Sequence, residues 1–231
     1  RALYQDRGRI VLARSQSLLP ARSYMAALGL APGALGMTEV TADADGVYRH
    51  IPLTVAAGQK IPSLAGAALA RAGITDYPET VMLAPRQPID SLPTLSLADV
   101  LGCAQSDPAA LKQAVGGKII FIGSTLLEED RKPSPSRFFF RKPAAASLMD
   151  GKNCAPTQVS LGTATVPGVY LHALAVDMVL GQGLLSPMDV WLRAAIAGLM
   201  AAMAVAITII SRPVFAMIAM VCAVLFLWLG E

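Results

Sequence analysis

Two uncharged runs, Ala194 to Ser211 and Pro213 to Gly230, lie at the end of this chain, with only Arg212 between them. Each is 18 residues long. A helix needs about 20 apolar residues to cross a hydrocarbon core about 30 Å thick, so each run reads as a membrane span. A single helix over Val190 to Glu231 would be about 63 Å long at 1.5 Å per residue, twice what a bilayer accommodates. The expected arrangement is therefore a transmembrane helical hairpin, with helices over 190–211 and 213–230 and a tight turn at Ser211-Arg212-Pro213. Pro213 suits a first helical position, where its missing N–H would have no partner anyway. The competing reading is a pair of buried core helices.

Val190 to Glu231 holds 34 apolar residues in 42, and the preceding 189 residues are about half apolar, as in an ordinary globular domain. Averaging the two gives the whole-chain values of 54% apolar, 15% charged and a mean hydropathy of +0.52. The net charge of +3 is too mild to argue for nucleic acid. Three cysteines and two histidines exclude a disulfide scaffold and a Cys/His-rich zinc module. No metal and no cofactor are expected.

Arg212 in the short loop favours the cytoplasm for that loop. Trp191 and Trp228 mark the opposite end of each span, where an aromatic belt belongs. Arg193 beside Trp191 can snorkel. Residues 1–189 are thus expected outside the cytoplasm, and an inward signal needs a further span beyond Glu231. The chain starts at Arg1 without a signal-peptide core and reads as a fragment. Small residues at Ala194, Gly198, Ala202 and Ala206 allow close helix approach in lipid, or reflect alanine richness alone.

The first 189 residues mix strand and helix signals, which indicates α/β architecture. Arg9 to Arg14 reads as a buried strand, Ser23 to Leu30 as a short helix and Met37 to Thr41 as a strand. Asp43-Ala44-Asp45-Gly46 is a turn, leading into a strand over Val47 to Ala57 that carries Val47, Ile51, Leu53 and Val55 on one face and is interrupted by Arg49. These two strands are expected to form a hairpin. Pro62 to Ala72 reads as a helix ended by Gly73. Val81 to Pro85 is a strand candidate and Ser96 to Leu101 a short helix or turn. Ile119 to Ile122, between Gly117 and Gly123, reads as a buried parallel strand. A polar stretch from Leu126 to Val166 precedes an amphipathic or buried helix over Val169 to Leu180.

Three segments together are informative: Asp45-Gly46-Val47-Tyr48-Arg49-His50-Ile51-Pro52-Leu53; Gly117-Lys118-Ile119-Ile120-Phe121-Ile122-Gly123-Ser124-Thr125; and Pro167-Gly168-Val169-Tyr170-Leu171-His172-Ala173-Leu174-Ala175. In this order, and followed by two spans, they resemble the CHASE type-two domain, a sensory domain of bacterial signalling proteins. The resemblance implies an extracytoplasmic α/β sensor with a mixed sheet, in a multi-pass protein of the bacterial inner membrane. It also implies a cytoplasmic output domain in cis, most often a class III adenylate or guanylate cyclase and sometimes a kinase or diguanylate cyclase. Such cyclases act as dimers, so a homodimer is expected. Against that pattern the chain enters the sensor part-way, without the first span and the first strand-helix units, and stops before any output domain. Glu128-Glu129-Asp130-Arg131-Lys132 with Arg137-Phe138 resembles an insertion found in cyclase-linked members.

Gly46 suits a turn position with positive φ. Arg49 on an apolar face needs a carboxylate, with Asp45 and Asp130 as candidates. Ser124 and Thr125 close the expected parallel strand, where α/β folds place ligand sites. Arg49, Ser124, Thr125, Asp130 and Arg131 are therefore the ligand-binding candidates for an unknown stimulus. Asp45, Gly46, Gly117, Gly123, Gly168 and His172 are the structural motif residues. His172 and Asp177, five apart on a helix, do not share a face. Residues 131–142 hold five basic residues beside three phenylalanines, which suit an acidic ligand or an anionic bilayer, or simply solubilise a loop. Cys103 and Cys154 are a candidate disulfide pair in an oxidising compartment, and Cys222 packs within a span.

Gly-x-Ser-x-Gly, Walker and His-Glu-x-x-His signatures are absent. The leading reading is a signalling input module with no catalytic residues of its own. The alternatives are a membrane-anchored periplasmic hydrolase using Ser124 or Thr125 with His172, and a structural membrane subunit.

Overall fold

The structure is a computed structural model. It describes residues 2–29, 33–57, 59–83, 92–125, 131–133, 135, 154, 156–158, 165–181, 183–185 and 188–210. The chain divides into two units, Arg1–Leu185 and Ser186–Glu231.

The first unit begins with a one-turn helix α1 (Ala2–Gln5) and a strand-helix-strand crossover: β1 (Leu12–Arg14), α2 (Arg22–Ala27) and β2 (Leu35–Met37). The strands run parallel, with Leu12 opposite Leu35 and Arg14 opposite Met37. Hydrogen bonds from Leu12 N–H to Ala34 O and from Thr38 N–H to Arg14 O extend the ladder at both ends. The strand expected over 37–41 thus falls earlier, because its pairing partner is the apolar run ending at Arg14 and not the chain that follows it.

Asp43 to Val47 turns tightly, with Gly46 at φ +79° and its N–H bonded to Asp43 O. The expected hairpin between 37–41 and 47–57 does not form. The chain after the turn becomes β3 (His50–Pro52), which pairs antiparallel with β6 (Thr80–Met82). β4 (Thr54–Ala57) folds back on β5 (Gln59–Pro62) instead. The residues after Gly46 that determine this are apolar and buried: Val47, Ile51 and Leu53 are all fully enclosed. Their burial against a helical layer selects the long-range partner over the sequence-adjacent one. The side chain of Val55 lies outside the described residues.

Helix α3 (Leu64–Arg71) starts where Ser63 caps it, its hydroxyl accepting the Gly66 N–H at 3.1 Å. Gly66 lets the helix press onto β3's continuation, since a Cβ there would lie 2.1 Å from Leu53 O. After β7 (Pro93–Thr94), α4 (Leu97–Ser106) is longer than the expected short turn, and α5 (Pro108–Val115) follows it directly. Ser96 and Asp107 cap the two helices, bonding Asp99 N–H at 3.0 Å and Ala110 N–H at 2.9 Å.

Residues 119–122 depart from expectation. Among the described residues this apolar run pairs with no strand. Ile119 and Phe121 pack on the core, while Ile120 and Ile122 face out. It is a half-buried edge and not a buried parallel strand.

β8 (Arg131–Pro133) pairs antiparallel with β10 (Thr165–Pro167), and β9 (Thr157–Gln158) with β7. The described strands therefore form five two-stranded pairings, one parallel and four antiparallel, a mixed α/β fold and not one continuous sheet. Helix α6 (Gly168–Leu180) runs through the core. Tyr170, Leu171, Leu174, Ala175, Val176 and Met178 are buried on it and pack with Ile51, Leu53, Leu69 and Val81. It is thus a core helix and not an amphipathic one.

The second unit contributes α7 (Val190–Ile210). Its residues Val190–Ile209 are long and apolar enough to cross a membrane. Residues 213–230, expected to form a second span, lie outside the described residues, as do Arg212 and Trp228.

Candidate functional site

The turn between Asp43 and His50 gathers four charged or titratable side chains. Arg49 Nη1 donates to Asp43 Oδ2 at 3.0 Å and to Asp45 Oδ1 at 2.9 Å, and Nη2 donates to Asp45 Oδ2 at 2.7 Å. The Asp45 contact is the two-pronged geometry that a planar guanidinium offers a carboxylate. His50 Nδ1 lies 2.8 Å from Asp43 Oδ1. Gly46 makes the reversal that brings Asp45 back over Arg49, and the Asp45 carboxylate also accepts the Val47 N–H at 3.1 Å.

These contacts hold both carboxylates in the ionised form. Asp45 is lowered to about 2, mainly by the Arg49 hydrogen bond and then by the Val47 N–H. Asp43 is lowered mainly by the hydrogen bond with His50, against the cost of burial, with Arg49 adding to the lowering. Carboxylates held this far down do not work as proton donors near neutrality. The cluster is an electrostatic clasp that ties the turn to its strand.

The clasp adjoins β8. Tyr48 N–H donates to Pro133 O at 2.9 Å, and Lys132 Nζ stands 5.3 Å from the centre of the Tyr48 ring. Arg131 occupies the register position opposite Pro167, next to the start of α6 at Gly168. Of the predicted ligand residues, Arg49 and Arg131 are thus carried by neighbouring segments linked through β8. Asp45 and Asp43 are the partners that the described residues give to Arg49; Asp130 lies outside them. Ser124 and Thr125 are exposed and follow the half-buried edge 119–123, so they do not close a paired parallel strand. The basic and aromatic stretch 136–142 lies outside the described residues.

The carboxyl end of a parallel pair lies elsewhere, at β1 and β2. There Arg14 O accepts both the backbone N–H and the hydroxyl of Thr38, and Glu39 accepts the Gln16 N–H. His172, only 2% exposed, places Nε2 3.3 Å from Thr38 O. Its ring thus ties α6 to this strand end, while Ser124 is exposed and Asp177 faces outward from α6. Arg14 Nε and Glu39 Oε2 are buried there with no hydrogen-bond partner among the described residues. Reading the sequence missed this group. Its signal was available: Arg14 closes an apolar run, and Thr38-Glu39 are the first polar residues after β2. No group of three or more metal-ligating side chains occurs among the described residues.

Cys103, buried on α4, is bridged to Cys154, with Cα atoms 5.6 Å apart and a sequence separation of 51. Such bonds persist in oxidising compartments outside the cytoplasm.

The CHASE2 domain family matches residues 2–211. The chain belongs to that family of extracytoplasmic sensory domains, and the matched region includes α7. No curated protein and no solved structure matches it.

Proposed function

We propose that this chain is the input module of a transmembrane signalling protein of the bacterial inner membrane. The domain up to residue 189 stands outside the cytoplasm and binds a stimulus. Helices over 190–211 and 213–230 pass the resulting shift to a cytoplasmic output domain in cis, a class III adenylate or guanylate cyclase. A stimulus acts by binding one conformation of the domain better than another, and it can shift the output only by that difference. The observation that carries this reading is that one family match of an extracytoplasmic sensory domain runs unbroken into an apolar helix of spanning length. The Cys103–Cys154 bridge supports the same side of the membrane.

Reporter fusions test the topology. Alkaline phosphatase joined after Leu185 or after Glu231 is expected to be active, and joined after Arg212 inactive. Activity at Arg212 would remove the hairpin. The gene beyond Glu231 tests the relay: a third span followed by a cyclase domain is expected there, and an immediate stop codon would sink it.

A further inference from the structure

Helix α7 begins on a cap and carries its charge in one turn. The Asp189 carboxylate accepts the Trp191 N–H at 2.8 Å, and the Asp189 carbonyl accepts the Arg193 N–H at 3.0 Å, so the helix starts from Asp189. The first N–H groups of a helix have no partner within it, and hydrocarbon offers none. A carboxylate suits them both by hydrogen bonding and by its charge. That charge keeps Asp189 in the headgroup layer. Arg193 stands one turn further in, about 6 Å along the axis. Helical Cβ bonds tilt toward the N-terminus, so its long side chain reaches back to the same layer, where lipid phosphates lie. Trp191, 83% exposed, sits between them, and an indole is best placed at that interface. Beyond Arg193 no charge occurs until Arg212, and before Asp189 none occurs back to Asp177.

We propose that Asp189, Trp191 and Arg193 pin the start of α7 at a fixed depth in the bilayer, so that the helix can turn or tilt but not slide. A carboxylate, an indole and a guanidinium within one turn all require the same thin layer. Sliding inward carries Asp189 into hydrocarbon. Sliding outward strips apolar residues from lipid and draws Arg212 toward the hydrocarbon. The span has no slack to absorb either movement: Val190–Ile209 is 20 residues, about 30 Å of helix against a hydrocarbon core of about 30 Å. The two charges do not work against each other, since an acidic residue four positions before a basic one is the favourable order on a helix. A stimulus relayed through α7 then crosses as a rotation or a tilt. This rests on the membrane reading above and adds the movement that the span permits.

Quenching of Trp191 by brominated lipid tests it. The full chain carrying Trp228→Phe is reconstituted into phosphatidylcholine vesicles brominated either near the headgroup or near the chain ends. In this parent chain the shallow bromines are expected to quench most. The profile should be the same in short-chain and long-chain lipid, because a pinned helix answers a thinner bilayer by tilting. Asp189→Leu with Arg193→Leu leaves 178–211 without charge, and the ratio of deep to shallow quenching should rise at least several-fold. Arg193→Lys, which keeps a long cationic side chain, should retain the parent ratio. An unchanged ratio in the double variant overturns the proposal, as does a Trp191 whose depth follows bilayer thickness in the parent chain. Absence of quenching from either bromine position would remove the membrane reading itself, so the two failures are distinguishable.

Discussion

The Arg49 guanidinium meets the Asp45 carboxylate with both of its terminal nitrogens, at 2.9 and 2.7 Å, four residues along the same chain. A turn and the strand it feeds are thereby locked by one side-chain pair, with Asp43 and His50 closing the other side at 2.8 Å. This arrangement sets the titration behaviour of the turn.

Arg49→Ala is expected to return the Asp45 carboxyl from about 2 towards its ordinary value of 3.8. Carboxyl NMR titration of the two proteins checks this. A carboxylate lowered by folding stabilises the fold fully above its unfolded value and loses that contribution as pH falls through its folded value. The wild-type domain should therefore lose stability between about pH 4 and pH 2 from this group, and Arg49→Ala should show a flatter acid limb. Equal acid limbs in the two proteins would show that the clasp does not hold Asp45 down.

Gly66→Ala should destabilise by about 3 kcal/mol or more, because the added methyl meets a backbone oxygen that cannot swing aside. Ser63→Ala, which removes only the cap, should cost about 1 kcal/mol. Urea denaturation of the chain in detergent micelles, followed by near-ultraviolet circular dichroism, orders the two. A Gly66→Ala protein as stable as wild type would contradict the close approach of α3 to Leu53.

Cys103→Ser is expected to lower stability by about 4 kcal/mol, the loop-closure term for a loop of about 50 residues. Reductant should lower the wild-type urea midpoint to a similar extent and leave the variant unmoved. Peptide mapping without reduction should yield Cys103 and Cys154 in one linked pair; two free thiols would exclude the bridge.

Leu171→Ala should cost about 3–5 kcal/mol, since the side chain is wholly enclosed and its removal leaves a cavity. Leu180→Ala on the same helix should cost less than about 1 kcal/mol, because that leucine is 52% exposed. Thermal unfolding of the pair measures the contrast directly, and equal losses would mean α6 is not the core helix.

Elements determined by local chemistry are legible in the sequence. The apolar run bounded by Arg9 and Arg14 shows β1, although only Leu12–Arg14 form it and the strand is half-buried and not buried as expected, and Gly168 to Leu180 is apolar on nearly every turn. Pro62 to Ala72 carries enough helix formers to show α3, whose starting cap is Ser63. The family resemblance is legible too, because three short motifs keep their order. Pairings set by distant partners are not. Ile51 lies opposite Val81, and nothing near either residue announces the other. Asp107 followed by Pro108 is a helix-start signal, and α5, absent from the sequence-based expectation, begins there. The edge at 119–123 has the composition of a central strand; its exposure depends on what surrounds it and not on its residues. In the candidate site the sequence offers Arg49 two carboxylates, Asp45 and Asp130, and it is the turn at Gly46 that brings Asp45 to it. Arg14, Thr38 and His172 are linked only through a parallel crossover and a helix more than a hundred residues later.

Helix α6 is enclosed along most of its length and tied at His172 to the strand end at Thr38. A close-packed rod of this kind has no soft side on which to absorb a small displacement. Whatever perturbs β1, β2 or the clasp must either leave it in place or move it as a whole. Since α6 is the last helix of the first unit, the strand end at Thr38 and the segment by which the chain leaves that unit are held by one packed element.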